Sequence, residues 1–187
     1  MTNNLTRRLR KEERAYANGN DRPLGSYLRV LGVYGGAVAG LVAAGRLTGT
    51  RPPEHIAVFD LLLMGASTHR LSRTITKDPV TSPLRAPFTR YAGLSGPAEL
   101  REEVRGHGIK HAVGELVTCP FCLAQWIATG YAAGMVFAPR LTRLAGATMT
   151  AVAISDWLQL GYARLMQAAE GRGNRRDGDR GQDEEEE

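Results

Sequence analysis

Cysteine is almost missing from this chain. Its 187 residues contain two, Cys119 and Cys122, too close together to staple a fold, so a disulfide framework is excluded. Aromatic residues are scarce, at 6%, and the basic loop between Arg70 and Arg90 has only Phe88 and Tyr91 in or beside it, too few rings for a surface that stacks bases. No phosphate-binding Gly-x-x-x-x-Gly-Lys occurs, no zinc-binding His-Glu-x-x-His helix, and no Ser-His-Asp order, so the common signatures of nucleotide, metalloprotease and serine-hydrolase chemistry are absent. A secretory signal is lacking as well. The first apolar segment begins only near Leu24, behind a long basic stretch and with no cleavage site after it, so the chain is expected to be retained whole.

The most informative absence is of charge inside long segments. Residues 116–139 contain no Asp, Glu, Lys, Arg or His, and neither do the 16 residues between Arg29 and Arg46. Polar residues concentrate at the two ends instead. The formal charge of +5 understates how basic the body is, because eight acids and four arginines lie from Glu170 onward. Without that tail the balance is 20 basic against 11 acidic residues, or +9.

Four candidate membrane spans follow. Leu24–Leu47 is slightly short of the ~20 residues that a hydrocarbon core requires, but Arg29 and Arg46 at its ends can snorkel to the headgroups. Gly32, Gly36 and Gly40 recur along it every four residues, leaving a bare face suited to a second copy or another membrane helix. Ile56–Thr74 is the weakest span, interrupted by Asp60 and ended by Arg70 and Arg73. Leu116–Pro139 is the strongest, and Pro120 fits the first turn of a helix. Leu144–Met166 contains a single acid, Asp156.

Between the second and third spans lies a polar loop, 75–114. Pro79, Pro83 and Pro87 exclude a continuous helix from its first half. In the second half, Pro97 behind Ser95 predicts the start of a short amphipathic helix, broken at Gly106 and Gly108. The fold class is therefore expected to be all-α: a polytopic helical bundle of about four spans at 23–167, between a basic leader at 1–22 and a disordered charged tail at 168–187.

Charge placement tests this arrangement. From leader to tail, the segments outside the apolar cores hold seven, two, eight, two and five Lys or Arg residues. That alternation satisfies the positive-inside rule for four spans with both termini in the cytoplasm of a bacterial cell. A soluble helical protein has no reason to alternate in this way.

Three groups of residues carry chemical potential. Cys119-Pro120-Phe121-Cys122 sits at a helix start, where the dipole lowers a thiol pKa. The pair has three open readings: structural packing, redox, or half of a metal site completed by His107 and His111. The sequence specifies neither the metal nor any cofactor. Asp60 and Asp156 are costly within spans and require partners; Arg70 or Arg29 is a candidate to neutralise one. Thr118, Cys122, Gln125 and Thr129 form one polar stripe, Thr148, Ser155, Asp156 and Gln159 a second, and Asp60, Met64 and Ser67 a third. Stripes that meet would form either interhelical hydrogen bonds or a hydrated ion path. Finally, Arg70, Arg73, Lys77, Arg85 and Arg90 form a basic cytoplasmic face suited to anionic lipid headgroups, with no nucleic-acid motif among them.

Arg70-Leu71-Ser72-Arg73, Thr76-Lys77-Asp78, Ser82-Pro83-Leu84-Arg85-Ala86-Pro87-Phe88, Gly114-Glu115-Leu116 and Cys119-Pro120-Phe121-Cys122 with Trp126 occur here in order. In these motifs the chain resembles a bacterial membrane-protein family catalogued as domain of unknown function 1360, from about Ile56 to Trp157. The resemblance implies that the Arg-Ala-Pro-Phe and Cys-Pro-Phe-Cys stretches belong to one unit with a joint cytoplasmic-face site. No complete catalytic constellation is present, so the expected role is that of a non-enzymatic scaffold or partner-binding membrane protein. The alternatives are a thiol or metal centre at Cys119 and Cys122, and a proton- or ion-coupled carrier using Asp60 and Asp156.

Overall fold

The structure, a computed structural model, describes residues 23–170 in full, the backbone on to Glu185, and residues 7, 8, 11–13, 15, 16 and 18 of the leader. The leader otherwise lies outside the described residues. Helix α1, Leu24–Thr48, starts where the carbonyl of Pro23 accepts from the N–H groups of Ser26 and Tyr27, and ends on Gly49. Gly49 adopts the left-handed conformation, φ 68°, which costs a glycine nothing. At 25 residues, α1 is the one described helix long and apolar enough by itself to cross a membrane. A Cβ on Gly32, Gly36 or Gly40 would meet nothing within 4 Å, so their bare face is unoccupied by the other described residues.

Helix α2, Val58–Lys77, begins with an acid, Asp60, in its first turn and ends on a cation, Lys77, both favourable to the helix dipole. It ends at Asp78, the residue before Pro79, whose extended backbone suits a position preceding proline. A 3₁₀ turn, Pro79–Thr81, and a single turn of helix, α3 at Ser82–Arg85, follow.

Next comes the first departure from expectation. The segment from Pro97, expected to be an amphipathic helix, is the turn and second strand of an antiparallel hairpin, β1 at Thr89–Gly96 and β2 at Glu99–Val104. The chain reverses through Gly96-Pro97-Ala98-Glu99, with Ala98 at φ 57°. Ser95 serves the hairpin rather than a helix cap, donating its hydroxyl to the Leu100 carbonyl. Leu100, Glu102 and Val104 alternate with Arg101 and Glu103, a period of two that a strand requires and a helix does not. The fold is therefore mostly helical with one two-stranded sheet, and not all-α.

Gly106 and Gly108, both at positive φ, turn the chain into α4, Ile109–Thr118. The expected third span is not one unbroken helix from Leu116. It breaks at Cys119, where α4 meets α5, Pro120–Phe137, at 82°. Pro120 has no N–H to donate back along α4 and biases Cys119 to its observed extended conformation, so a new helix must start there. The bent pair passes the test for a membrane span only when its two halves are taken together. Helix α6, Pro139–Glu185, then runs through the segment expected as span four, and no break in its backbone marks the boundary expected at 168.

The long helices alternate in direction. Tyr34 of α1 meets Thr129 of α5, and further along Gly45 approaches Phe137, so α1 and α5 are parallel. Asp60, Leu63 and Arg70 of α2 meet Arg143, Thr150 and Asp156 of α6 in that order, so α2 and α6 are also parallel. Helices α5 and α6 are antiparallel and closely packed. A Cβ on Gly134 would lie 2.5 Å from Thr142 Oγ1, and one on Gly146 only 2.1 Å from the Tyr131 hydroxyl.

Burial is inverted relative to a water-soluble fold. Among the described residues, the buried apolar side chains are Leu63, Ala112 and Ala153, while Ser26, Asp60, Ser67, Ser72, Thr76, Arg85 and Thr89 are buried polar ones. Leu31, Val33 and Val42 of α1, Leu61 and Leu62 of α2, and Leu144 and Leu158 of α6 all face outward. Water-soluble chains bury residues of this class first.

Candidate functional site

The polar residues gather in two places, and the larger is a collar at the C-terminal end of α2. Its centre is Arg85, which is fully enclosed. Its Nη1 donates to the Ile75 carbonyl at 2.6 Å and to Thr81 Oγ1 at 2.7 Å, Nη2 donates to the Asp78 carbonyl at 3.1 Å, and Nε to Glu102 of β2. The unpaired carbonyls that every helix exposes at its C-terminus are thus taken up by a guanidinium from the following turn. Glu102 is almost as buried as its partner. Thr81 Oγ1 adds donation to the Thr74 carbonyl at 2.5 Å, so the Pro-rich turn is folded back on the helix it leaves.

Two further arginines extend the collar. Arg73 Nε donates to Glu99 of β2 at 2.8 Å. Arg70 lies between two acids, with Nη2 3.3 Å from Asp78 and Nε 3.0 Å from Asp156 of α6. Arg70 Nε and Asp156 are close enough for an ion pair but not aligned for a hydrogen bond, so the attraction there is chiefly coulombic. Arg90 and Glu103 face each other across the hairpin at 3.8 Å, both well exposed. Lys77 occupies the last turn of α2. Of the five cations expected to form one basic face, Arg85 is therefore enclosed and Arg70 and Arg73 are drawn to acids.

Helix α4 closes the collar from beside. Gly114 permits this: a Cβ there would lie 2.5 Å from Val104 Cγ1 and 3.2 Å from the Phe88 carbonyl. Glu115 accepts from the Tyr27 hydroxyl of α1 at 2.5 Å and pairs with His111 at 3.4 Å. The Arg-Ala-Pro-Phe stretch and the segment leading into the cysteines thus form one unit.

Cys119 caps α5. Its Sγ accepts from the N–H of Cys122 at 3.2 Å, and both thiols are free, with Cys122 exposed. His107 lies in the turn after β2, and His111 is engaged with Glu115. Among the described residues, no group of three or more His, Cys, Asp or Glu side chains is placed to hold a metal ion.

The second polar cluster lies at the opposite end of α2. Asp60 accepts from Arg143 Nε and Nη2, each at 2.8 Å. This fork-to-fork pairing is the strongest geometry available to an arginine and a carboxylate. Arg70, expected to neutralise an acid, lies against Asp156, whereas the partner of Asp60 is Arg143, one of the two cations in the connection before the fourth expected span. The i, i+3 positions Arg140 and Arg143 at the start of α6 were the available signal.

The three polar stripes do not converge. Gln125 Nε2 donates to the Tyr34 hydroxyl at 2.8 Å, which also bonds Thr129 at 2.8 Å, while Tyr34 and Trp126 stack edge to face at 5.1 Å. The α5 stripe is therefore spent on α1. Gln159 turns to Ser155 of its own helix at 3.3 Å. Helices α2 and α6 meet through Asp60–Arg143, Arg70–Asp156 and the Thr150 hydroxyl, which donates to the Leu63 carbonyl at 3.3 Å, and each of these contacts draws on at most one stripe residue.

Residues 63–162, just over half of the chain, match the family model described as Protein of unknown function (DUF1360). The match spans the collar, the thiol pair and the Arg70–Asp156 contact. No curated protein and no solved structure matches the chain.

Proposed function

The chain belongs to the DUF1360 family, and from that premise we propose that it is a four-span integral membrane protein of non-enzymatic, scaffold type, whose collar is a rigid cytoplasmic platform for a partner. The observation that carries this reading is the inverted burial: serine, threonine, aspartate and arginine inside, leucine and valine outside. Lipid is as apolar as leucine, so such a bundle gains from interhelical polar contacts and small-residue packing rather than from an apolar core. The alternating helix directions and the alternating basic counts of the connections support the same topology independently. In it, Asp60 and Arg143 lie toward the outer face, and the collar lies toward the cytoplasm.

The pairing of both intramembrane acids with arginine favours packing over carriage, because an acid that relays protons or ions must be free to exchange its partner. A scaffold accounts for the collar better than catalysis does. Its most enclosed charges, Arg85 and Glu102, neutralise each other and are spent on holding the turn to α2 and β2. Carbonate and high-salt washing of membranes tests the reading: the protein stays in the pellet if it is integral, and its release would end the proposal.

A second reading has one observation in its favour. Cys122 is exposed at the collar's edge, beside a sulfur that already caps the helix, so the pair is accessible to a partner thiol. Replacing both cysteines with Ser would abolish a thiol-dependent phenotype if this reading holds. It would leave a scaffold's membrane level and partner binding intact.

A further inference from the structure

The hairpin does not end where its support ends. Its inner face is covered at the base, where Val104 packs on Gly114 and Glu102 bonds Arg85. Register places Tyr91 opposite Glu102 and Leu94 opposite Leu100, so both share that face, Tyr91 on the other strand beside Glu102 and Leu94 nearer the tip. Among the described residues little covers them: Tyr91 is 66% and Leu94 67% exposed. Two-stranded hairpins are marginal on their own, and an uncovered apolar face makes this one costlier still in water.

Its placement says what covers it. The hydrogen bond from Arg73 to Glu99, beside the turn, draws the tip end of the hairpin back against α2, one helical turn before that helix ends. The hairpin thus lies along the end of the bundle rather than projecting from it. Its other face carries exposed Arg101 and Arg90, the latter 3.8 Å from Glu103, and the adjoining turn exposes Val80 and Leu84.

We propose that the Tyr91–Leu94 face is an interfacial anchor that beds into the anionic cytoplasmic leaflet beside α2, with Arg90 and Arg101 reaching lipid phosphates. A tyrosine suits this depth because its ring is apolar and its hydroxyl wet. Long arginine side chains reach the headgroups from a backbone that lies lower or to the side. Juxtamembrane cations of this kind add attraction to an anionic leaflet that falls with salt. The anchor would fix the tilt of the collar against the membrane. The inference rests on the membrane reading above, since without a bilayer at α2 the hairpin has no leaflet to enter.

The test uses full-length protein with both native cysteines replaced by Ser, reconstituted in nanodiscs, and an environment-sensitive fluorophore on Leu94→Cys. A second preparation carries the label on Leu31→Cys of α1. Lipids spin-labelled at the headgroup or deep in the acyl chain serve as quenchers. The anchor requires loss of most Leu94 fluorescence to the headgroup quencher, and weaker loss when phosphatidylcholine replaces phosphatidylglycerol or when Arg90→Gln and Arg101→Gln are added. Quenching of Leu31 by the deep label, with Leu94 unaffected by either quencher, overturns the anchor and leaves the membrane reading standing. No quenching at Leu31 overturns both. Quenching at Leu94 that ignores lipid charge overturns the role given to the arginines.

Discussion

Arg85 illustrates how a single side chain can organise a whole segment. It neutralises Glu102, takes up the last carbonyls of α2 and reaches Thr81, so its removal strands several buried groups together. Arg85→Ala should cost on the order of 3–5 kcal/mol, the range for breaking a buried ion pair by deleting one partner. Arg85→Lys keeps the charge but not the planar fork that serves three elements, and should recover only part of the loss. Limited proteolysis between residues 86 and 105, with thermal unfolding in detergent, reads both effects; wild-type resistance in Arg85→Ala would refute the role. In sequence, Arg85 looked like one more member of a basic face. Composition and local spacing cannot separate a headgroup-facing arginine from one capping a helix eight residues upstream, because that difference arises only when the Pro79 and Pro83 turns fold back. A second residue-scale case is Gly146, which had no signal comparable to the regular Gly32, Gly36 and Gly40 series. Its importance comes from the facing Tyr131, whose hydroxyl lies 2.1 Å from where a Cβ would stand. Gly146→Ala should separate α5 from α6 at about 1–3 kcal/mol, as overpacking does. Tyr131→Phe should relieve it only partly, since ring carbons also lie within 2.9 Å; thermal unfolding of the single and double variants decides it.

Elements were legible to the degree that their signals were local. The proline at 120 marked a helix start, and the apolar run expected at Leu24–Leu47 is helical over Leu24–Thr48. The hairpin was misread because Ser95-x-Pro97 resembles a helix entry and Glu-Arg-rich β2 has little β propensity; pairing with β1 and the Glu102–Arg85 contact override that propensity. Pairing between helices has a logic of its own. Along α2 the charges run acid then base, Asp60 to Arg70; along α6 they run base then acid, Arg143 to Asp156. Parallel alignment pairs both sets, whereas an antiparallel one would set acid against acid and base against base. Asp60→Arg or Arg143→Asp alone should therefore destabilise the bundle, and the double exchange should restore most of what either loses. A double-mutant cycle on detergent-solubilised protein measures this coupling. Additive losses would show that the two residues act independently.

At the scale of the molecule, the deepest constraint is direction. If the proposed four spans cross one bilayer, parallel α1 and α5, parallel α2 and α6, and antiparallel neighbours α5 and α6 can be threaded in only one sense under the positive-inside rule. The proposal then requires the collar, with Arg70, Arg73, Lys77 and Arg85, to share a side with the leader and with the end of α6, and the connections at Thr50–Pro53 and Pro139–Arg140 to lie opposite. Single cysteines in a background free of Cys119 and Cys122 test this in intact cells. Thr50→Cys should react with a membrane-impermeant maleimide from outside, and so should Arg140→Cys, while Ser95→Cys should react only after permeabilisation. Span two is the critical member, because its hydrophobicity alone is too weak to require it. If α2 failed to cross, α1 and the charge on its flanks would still fit a membrane, but Ser95 would share the side of Thr50, and the parallel pairing of α2 with α6 could not survive in a bilayer. Labelling of Ser95→Cys from outside would thus overturn the four-span arrangement even if the protein proved integral, and labelling restricted to Thr50 and Arg140 would leave no other threading of these helices.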